Sequence, residues 1–263
     1  MNASTAIAMY GAALLVWCIE CRQSGIFRTR LPHAARNVAV TAMAIATGGL
    51  LASAVAFGTR VGGHWGLFEK LQFTPTLRIF IGIFAIDFVE YLRHRLSHAV
   101  PFLWRFHRVH HADEELDITS TFVFHPGEVV LTIALRVGAI VLLGIPVESL
   151  LIYQAIATPL AFAQHSLLKL PWLEPTLRPV FVTPIAHKIH HERTEGAIHA
   201  NFGTVFIWWD YIWRTHQNVG ALPQKYGLAE LDGTSITFER LLCMPSMSFD
   251  KQIAATHDRS SET

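Results

Sequence analysis

Residues 104–115 read WRFHRVHHADEE, and residues 187–191 read HKIHH. Each sets three histidines in five positions as H-x-x-H-H, and HRLSH at 94–98 sets two more four residues apart. On a helix, positions i and i+4 lie about 40° apart, and i+3 falls about 60° to the other side of i. Each H-x-x-H-H therefore projects a narrow fan of three imidazoles, and H-x-x-x-H projects two from successive turns. The stretches read as helices that carry ligands.

Outward from the boxes the chain is apolar. Of its 263 residues 51% are hydrophobic and only 16% charged, against about 25% charged in an ordinary soluble domain. Runs at 5–21, 38–57 and 76–92 have the length of membrane-spanning helices. The first lacks a basic leader and is expected to be a retained helix, not a cleaved signal peptide. Residues 128–144 and 147–164 are two further runs separated only by IPV, predicting a tight helical hairpin. Arg136 argues against full lipid exposure of the first of them. The predicted fold class is all-α: an integral-membrane helical bundle of about four transmembrane helices with a cytoplasmic histidine-rich helical cap. Three regions are expected: an N-terminal transmembrane hairpin over 1–75, a catalytic membrane domain with the boxes over 76–215, and a C-terminal cytoplasmic tail over 216–263.

Charge orients the bundle. Residues 22–37 hold Arg22, Arg28, Arg30 and Arg36 and no acid, which marks the cytoplasmic side. Residues 58–75 nearly balance Arg60, Glu69 and Lys70, and arginine returns around the first two boxes. The hairpin leaves from that side and comes back to it, so every box is expected on the cytoplasmic face of a multi-pass protein of a bacterial inner membrane or the endoplasmic reticulum. A net charge of +1 offers no footprint for nucleic acid. Cys18 and Cys21 form a C-x-x-C at the end of an apolar run without a βαβ context, and read as small hydrophobes in a helix.

Two isolated histidines fall near the plane of the boxes: His125 in FHPGE and His165 in AQHS. A single histidine on an apolar helix is commonly a core residue with one hydrogen bond, and His33, His64, His199, His216 and His257 are read that way or as surface residues. Eight in three boxes beside a membrane are costly unless something holds them. One tetrahedral zinc takes four ligands and an octahedral metal about six, so eight boxed histidines with two further candidates imply two metals. Imidazole ligands suit iron, zinc or copper over magnesium or calcium. His107 and His111 are expected to face one ion and His110 the other, with the third box divided similarly. HHERTE lacks the second histidine of H-E-x-x-H, which excludes a zinc peptidase signature. Redox metals at a membrane surface then point to oxygen chemistry on a lipid. The alternative is a non-catalytic metal-binding or metal-transporting membrane protein, which would place polar residues along the spans, and these are almost free of them.

At these residues the chain resembles the fatty acid hydroxylase/sterol desaturase superfamily of integral-membrane di-iron oxygenases. DFVEYLRHRLSH, LWRFHRVHH, FHPGE, AQHS, TPIAHKIHH and NFGTVFIWWDYIWRT match its boxes and flanks in order and spacing, over residues 80–245. Two positions depart: Val123 stands where an arginine is common, and Arg214 where a small residue is usual. Both bear on the substrate entrance. The resemblance implies two iron ions, with zinc an expected replacement in a purified form, and two electrons and O2 used to hydroxylate or desaturate an unactivated C–H of a lipid such as a sterol or fatty-acyl substrate. It implies His94, His98, His107, His110, His111, His165, His187, His190 and His191 as metal ligands, with His125, Asp87, Glu114 and Asn201 as additional or supporting residues. Glu90, Asp113 and Asp117 are further candidates to orient the imidazoles, their alternative being pairs with Arg93, Arg95, Arg105 or Arg108. No haem or dinucleotide motif is present, so a separate electron donor of cytochrome b5, ferredoxin or flavoprotein type is implied.

Overall fold

The computed structural model describes residues 3–167, 174–217 and 225–247. Its regular elements are helical, apart from two isolated β-bridges. The long helices are α1 (Ala3–Gln23), α2 (Phe27–Leu50) and α3 (Ala52–Trp65), then after the one-turn α4 (Leu67–Lys70) come α5 (Pro75–Ala99), α6 (Pro101–His111), α7 (Pro126–Leu143) and α8 (Val147–His165). Short helices complete the cap: α9 (Glu174–Leu177), α10 (Pro184–His190), α11 (Glu195–Ile198), α12 (Trp208–Ile212) and α13 (Phe238–Cys243).

Proline sets several starts. Pro75, Pro101, Pro126 and Pro184 each occupy the first turn, where the missing N–H has no intrahelical acceptor to lose. Thr74 and Thr183 cap α5 and α10 by accepting from Leu77 N and Ala186 N. Pro101 also forces Val100 out of the helical region, to φ −102° and ψ 115°. The chain therefore breaks between α5 and α6, and the first two boxes fold onto each other. α7 ends at Gly144, whose φ of 75° suits glycine, and Pro146 precedes α8. That is the hairpin expected at IPV.

α5 packs on α6 and α8, and α3 on α7. At the α3–α7 contact Gly62 faces the backbone carbonyl of Ile140, and Gly66 faces Gly144. A side chain at either glycine would collide with backbone, so the two helices touch main chain to main chain, with Gly58 one turn earlier against Val137.

Several expectations shift. α2 begins at Phe27 and not near residue 38, because the arginine-rich stretch is itself helical and buries His33, Ala34 and Asn37 against the cap. The apolar run at 38–57 is broken at Leu51. Among the described residues, α7 alone is long and apolar enough to cross a membrane, and α2 with α3 and α4, bent by 41°, forms a second candidate. α5 falls short because it carries Arg78, Asp87, Glu90 and Arg93, and α8 carries Glu148, Gln154, Thr158 and Gln164. Within the expected tail, residues 225–247 are folded: Leu228, Leu231, Leu241 and Met244 form a core with Val40, Val109 and Val123. The terminal stretch from 248, including His257, lies outside the described residues. Cys21 is buried in an apolar cluster with Trp17 and Ala34, and Cys18 packs beside it.

Candidate metal centre

The last turns of α5, the last turns of α6, the end of α8 and the whole of α10 converge. They bring nine buried histidines into two groups, in each of which one ring nitrogen per residue lies within 4.8 Å of the others. His94, His98, His107, His111 and His190 make the first group, and His110, His165, His187 and His191 the second. Each H-x-x-H-H is divided: its i and i+4 members go to one group and its i+3 member to the other. The groups adjoin, the rings of His111 and His191 stacking at 4.4 Å between centroids.

The rings are aimed by their Nδ1 atoms. His94 Nδ1 donates to Phe202 O at 2.8 Å, His190 Nδ1 to Ala200 O at 2.7 Å and His165 Nδ1 to Ala161 O at 2.9 Å. His107 Nδ1 donates to the buried carboxylate of Glu128 at 2.7 Å. Each of these bonds fixes the tautomer that leaves Nε2 bare. The Nε2 atoms of His94, His107 and His190, and both nitrogens of His98 and His111, are buried without a hydrogen-bond partner. In the second group His187 Nε2 sits 3.3 Å from His165 Nε2 and 3.1 Å from His191 Nε2. One N–H can serve only one of these two contacts, and His187 Nδ1 is buried without a partner. A cation in each group would take up the unpartnered nitrogens, so the donor set fits bound metal.

Burial above all lowers the ring pKa values of His94, His98, His110, His111, His187 and His191 well below the usual histidine range, and neighbouring imidazoles add to the effect. For His165 and His190 burial brings the values to about 4 and about 3. Neutral imidazole is the form that binds a metal.

The supporting acids are not the ones closest in sequence. Asp87 accepts from Tyr153 Oη, Val205 N, Phe206 N and Trp209 Nε1, and so pins the 205–209 loop to α5. Asp210 accepts from Phe202 N and Gly203 N, which orders the carbonyl that holds His94. Asn201 is buried at φ 55° and clasps Ala186 and Gln217. Asp113 and Asp117 turn away from the boxes toward His33, Arg36, Asn37 and Arg30, and Glu114 is exposed. His125 caps α7, its Nδ1 accepting from Gly127 N and its Nε2 donating to Leu242 O, and it belongs to neither group. Glu90 pairs with Arg93 as its alternative reading had it, and also with Arg136. Among the described residues, Glu128 is the acid that hydrogen-bonds a box histidine. Its signal was the glutamate of FHPGE, which marks a helix start beside the second box.

A cavity of about 390 Å³ opens between α2, α5, α7 and α8. His94, His107, His110, His165 and His187 line it, with Ile45, Val129, Ile133, Ala157 and Ala161 as apolar walls and Glu90, Arg93, Glu128 and Arg136 as charged ones. Val123 is buried in the core, and neither it nor Arg214 lines the cavity.

The fatty acid hydroxylase family model matches residues 79–215, just over half of the chain and all nine of these histidines. The chain belongs to the fatty acid hydroxylase family. It is 29% identical over 147 residues to the ornithine lipid hydroxylase OlsE of Rhizobium tropici, covering 56% of this chain and 44% of that protein. It is 29% identical over 214 residues to the alkylglycerol monooxygenase of Caenorhabditis elegans, covering 71% and 38%, and 27% identical over 146 residues to that of Homo sapiens, covering 51% and 29%. The chain thus spans less than half the length of these curated relatives. No solved structure matches it.

Proposed function

We propose that this fatty acid hydroxylase family member is an integral-membrane, O2-dependent lipid hydroxylase that holds two iron ions. The observation that carries the reading is nine buried imidazoles in two groups, with unpartnered nitrogens, five of the nine lining a largely apolar cavity. The first five histidines would hold one ion and the other four the second. Bound iron would supply activation of O2 and abstraction of a hydrogen from an unactivated C–H. Hydroxylation is preferred to desaturation because the relatives are named a hydroxylase and monooxygenases.

The chain's own residues do the rest. Glu128, Phe202, Ala200 and Ala161 keep imidazole Nε2 atoms aimed inward. The apolar walls align a lipid chain and exclude water from the reacting carbon. Large apolar side chains face outward along the long helices: Leu50, Phe57 and Leu142 are 83%, 67% and 73% exposed, a pattern suited to lipid and not to water. Arginine-rich helix ends beside the boxes favour a cytoplasmic cap, where a separate electron-transfer protein would reach the centre.

The test is iron content of the purified full chain together with O2 uptake and oxidised lipid when electrons are supplied. Two irons per chain and oxidised product are expected. A single ion per chain, or no oxidised lipid in cells that express the protein, would refute the proposal.

A further inference from the structure

The cavity wall contains a charge chain that holding the metal does not require in full. Arg136 Nε donates to Glu90 Oε1 at 2.5 Å, Arg93 Nε to Glu90 Oε2 at 3.1 Å, and Arg93 Nη1 to Glu128 Oε1 at 3.0 Å. Glu128 in turn holds His107. Two arginines and two glutamates sum to zero, so the chain is electrically closed. Yet among the described residues the two terminal nitrogens of Arg136 have no hydrogen-bond partner, although the guanidinium lines the cavity beside Ile133 and Ala157. The side chain keeps 30% exposure, and the cavity beside it also carries Tyr153, Gln154 and Thr158; a guanidinium anchored through Nε presents its terminal nitrogens there as a two-pronged fork.

We propose that Arg136 clamps the neutral carbonyl oxygen of an acyl lipid, an ester or amide, within this cavity. The inference rests on the lipid-oxidising reading and names its substrate class. A carboxylate or phosphate would add an uncompensated negative charge to a neutral cluster in low dielectric. A carbonyl brings acceptor lone pairs and no net charge. Arg136 stands eight residues beyond Glu128 on α7, and its guanidinium meets Glu90, which lies one turn, about 6 Å, before His94 along α5. An acyl chain held there by its carbonyl must extend past several methylenes before reaching the histidines, so it is oxidised along its length and not beside the carbonyl. Arg136 is a positioning residue.

The test uses the full chain in lipid nanodiscs and three probes: a long-chain fatty acid methyl ester, the alkane of equal length, and the free fatty acid. Equilibrium binding of each is measured, with iron content as the check on folding. The wild type is expected to prefer the ester to the alkane by about tenfold, the value of one hydrogen bond to a charged donor. Arg136→Met should erase that preference while alkane binding persists, and Arg136→Lys should restore part of it. Because Arg136→Met leaves the cluster with a net charge of −1, the neutral pair Glu90→Gln/Arg136→Met is measured beside it and should behave alike. Retention of the ester preference in both would overturn the proposal, as would tighter binding of the free fatty acid than of the ester by the wild type. A chain that binds no iron but shows the Arg136-dependent preference would sink the oxygenase reading and leave this assignment standing.

Discussion

Two buried polar clusters, only two residues apart along the chain at His111 and Asp113, obey opposite rules. Around Asp113 the partners are all protein. One carboxylate oxygen takes His33 at 2.8 Å and Glu115 N at 3.1 Å, and the other takes Asn37 at 2.9 Å and Ser120 at 2.5 Å. His33 lies between Asp113 and Asp117, whose Oδ2 is 3.5 Å from its second nitrogen. Among the box histidines, Nε2 of His94, His107 and His190 and both nitrogens of His98 and His111 are equally buried and have no such partners. Burying a polar group without a hydrogen bond costs roughly 1–3 kcal/mol, so a cluster with many bare nitrogens is built for something from outside. The first cluster ties α2 to the cap; the second waits on a ligand.

The comparison breaks most directly at the centre itself. His190→Ala and His110→Ala, one from each group, are each expected to abolish product, and the double variant to be scarcely worse, since residues acting as a unit give non-additive losses. Product per membrane-inserted protein is the measurement, and two additive partial losses would mean that the groups act independently. In the Asp113 cluster, Asp113→Ala strips a partner from His33, Arg36 and Asn37 and should cost about 3 kcal/mol of stability. His33→Ala should cost about 2 kcal/mol, well above the near-silence expected of a lone histidine. Both are read by thermal unfolding in detergent, and both should leave the metal-to-protein ratio of the folded fraction unchanged.

A subtler change separates aim from ligation. Glu128→Gln keeps a group near His107 Nδ1 but removes the carboxylate, and should weaken metal affinity about 10- to 100-fold without unfolding the chain. Competition with a chelator measures it. Acid distinguishes the clusters in metal-stripped protein. Histidines held neutral by burial cost nothing above the unfolded pKa of about 6.5; stability is lost as pH falls from there, until the folded values near 4 for His165 and 3 for His190 are passed. Burial pushes the Asp113 carboxyl up, but His33, Arg36 and Ser120 outweigh it and hold the pKa well below the carboxylate range. Its contribution is complete above about pH 3.9 and is lost only on further acidification. Unfolding curves taken between these limits should therefore show the box region loosening while the Asp113 cluster holds. The smallest effect belongs to His64, exposed in α3, where alanine should stay within about 0.5 kcal/mol of wild type.

The boxes were legible because their information is local: i, i+3 and i+4 on one helix fix which rings diverge, and the i+3 histidine does part from its i and i+4 neighbours. The hairpin and most helix starts were legible for the same reason, through proline and glycine. Glu128 was not, since its contact with His107 spans 21 residues and depends on how α7 lies against α6. Asp113 misled in the other direction: it follows the box at once, but α6 ends at His111 and the chain turns it toward α2. His33 carries no local signal at all; only the packing of α2 gives it Asp113. Hydropathy blurred the count of spans because polar side chains of α5 and α8, among them Glu90, Arg93, Gln154 and Thr158, line the cavity.

The main-chain contact of Gly62 and Gly66 with the end of α7 has a consequence far from itself. α7 carries Glu128 near its start and Arg136 near its middle, and its axial height is set where Gly144 meets Gly66. Those glycines are therefore the zero mark of a ruler on which the lipid is measured. A methyl group added at Gly62 touches nothing that binds or reacts, yet it must raise or tilt α7. On the proposed reading it would change which carbon of the acyl chain is oxidised while leaving the chemistry as it was.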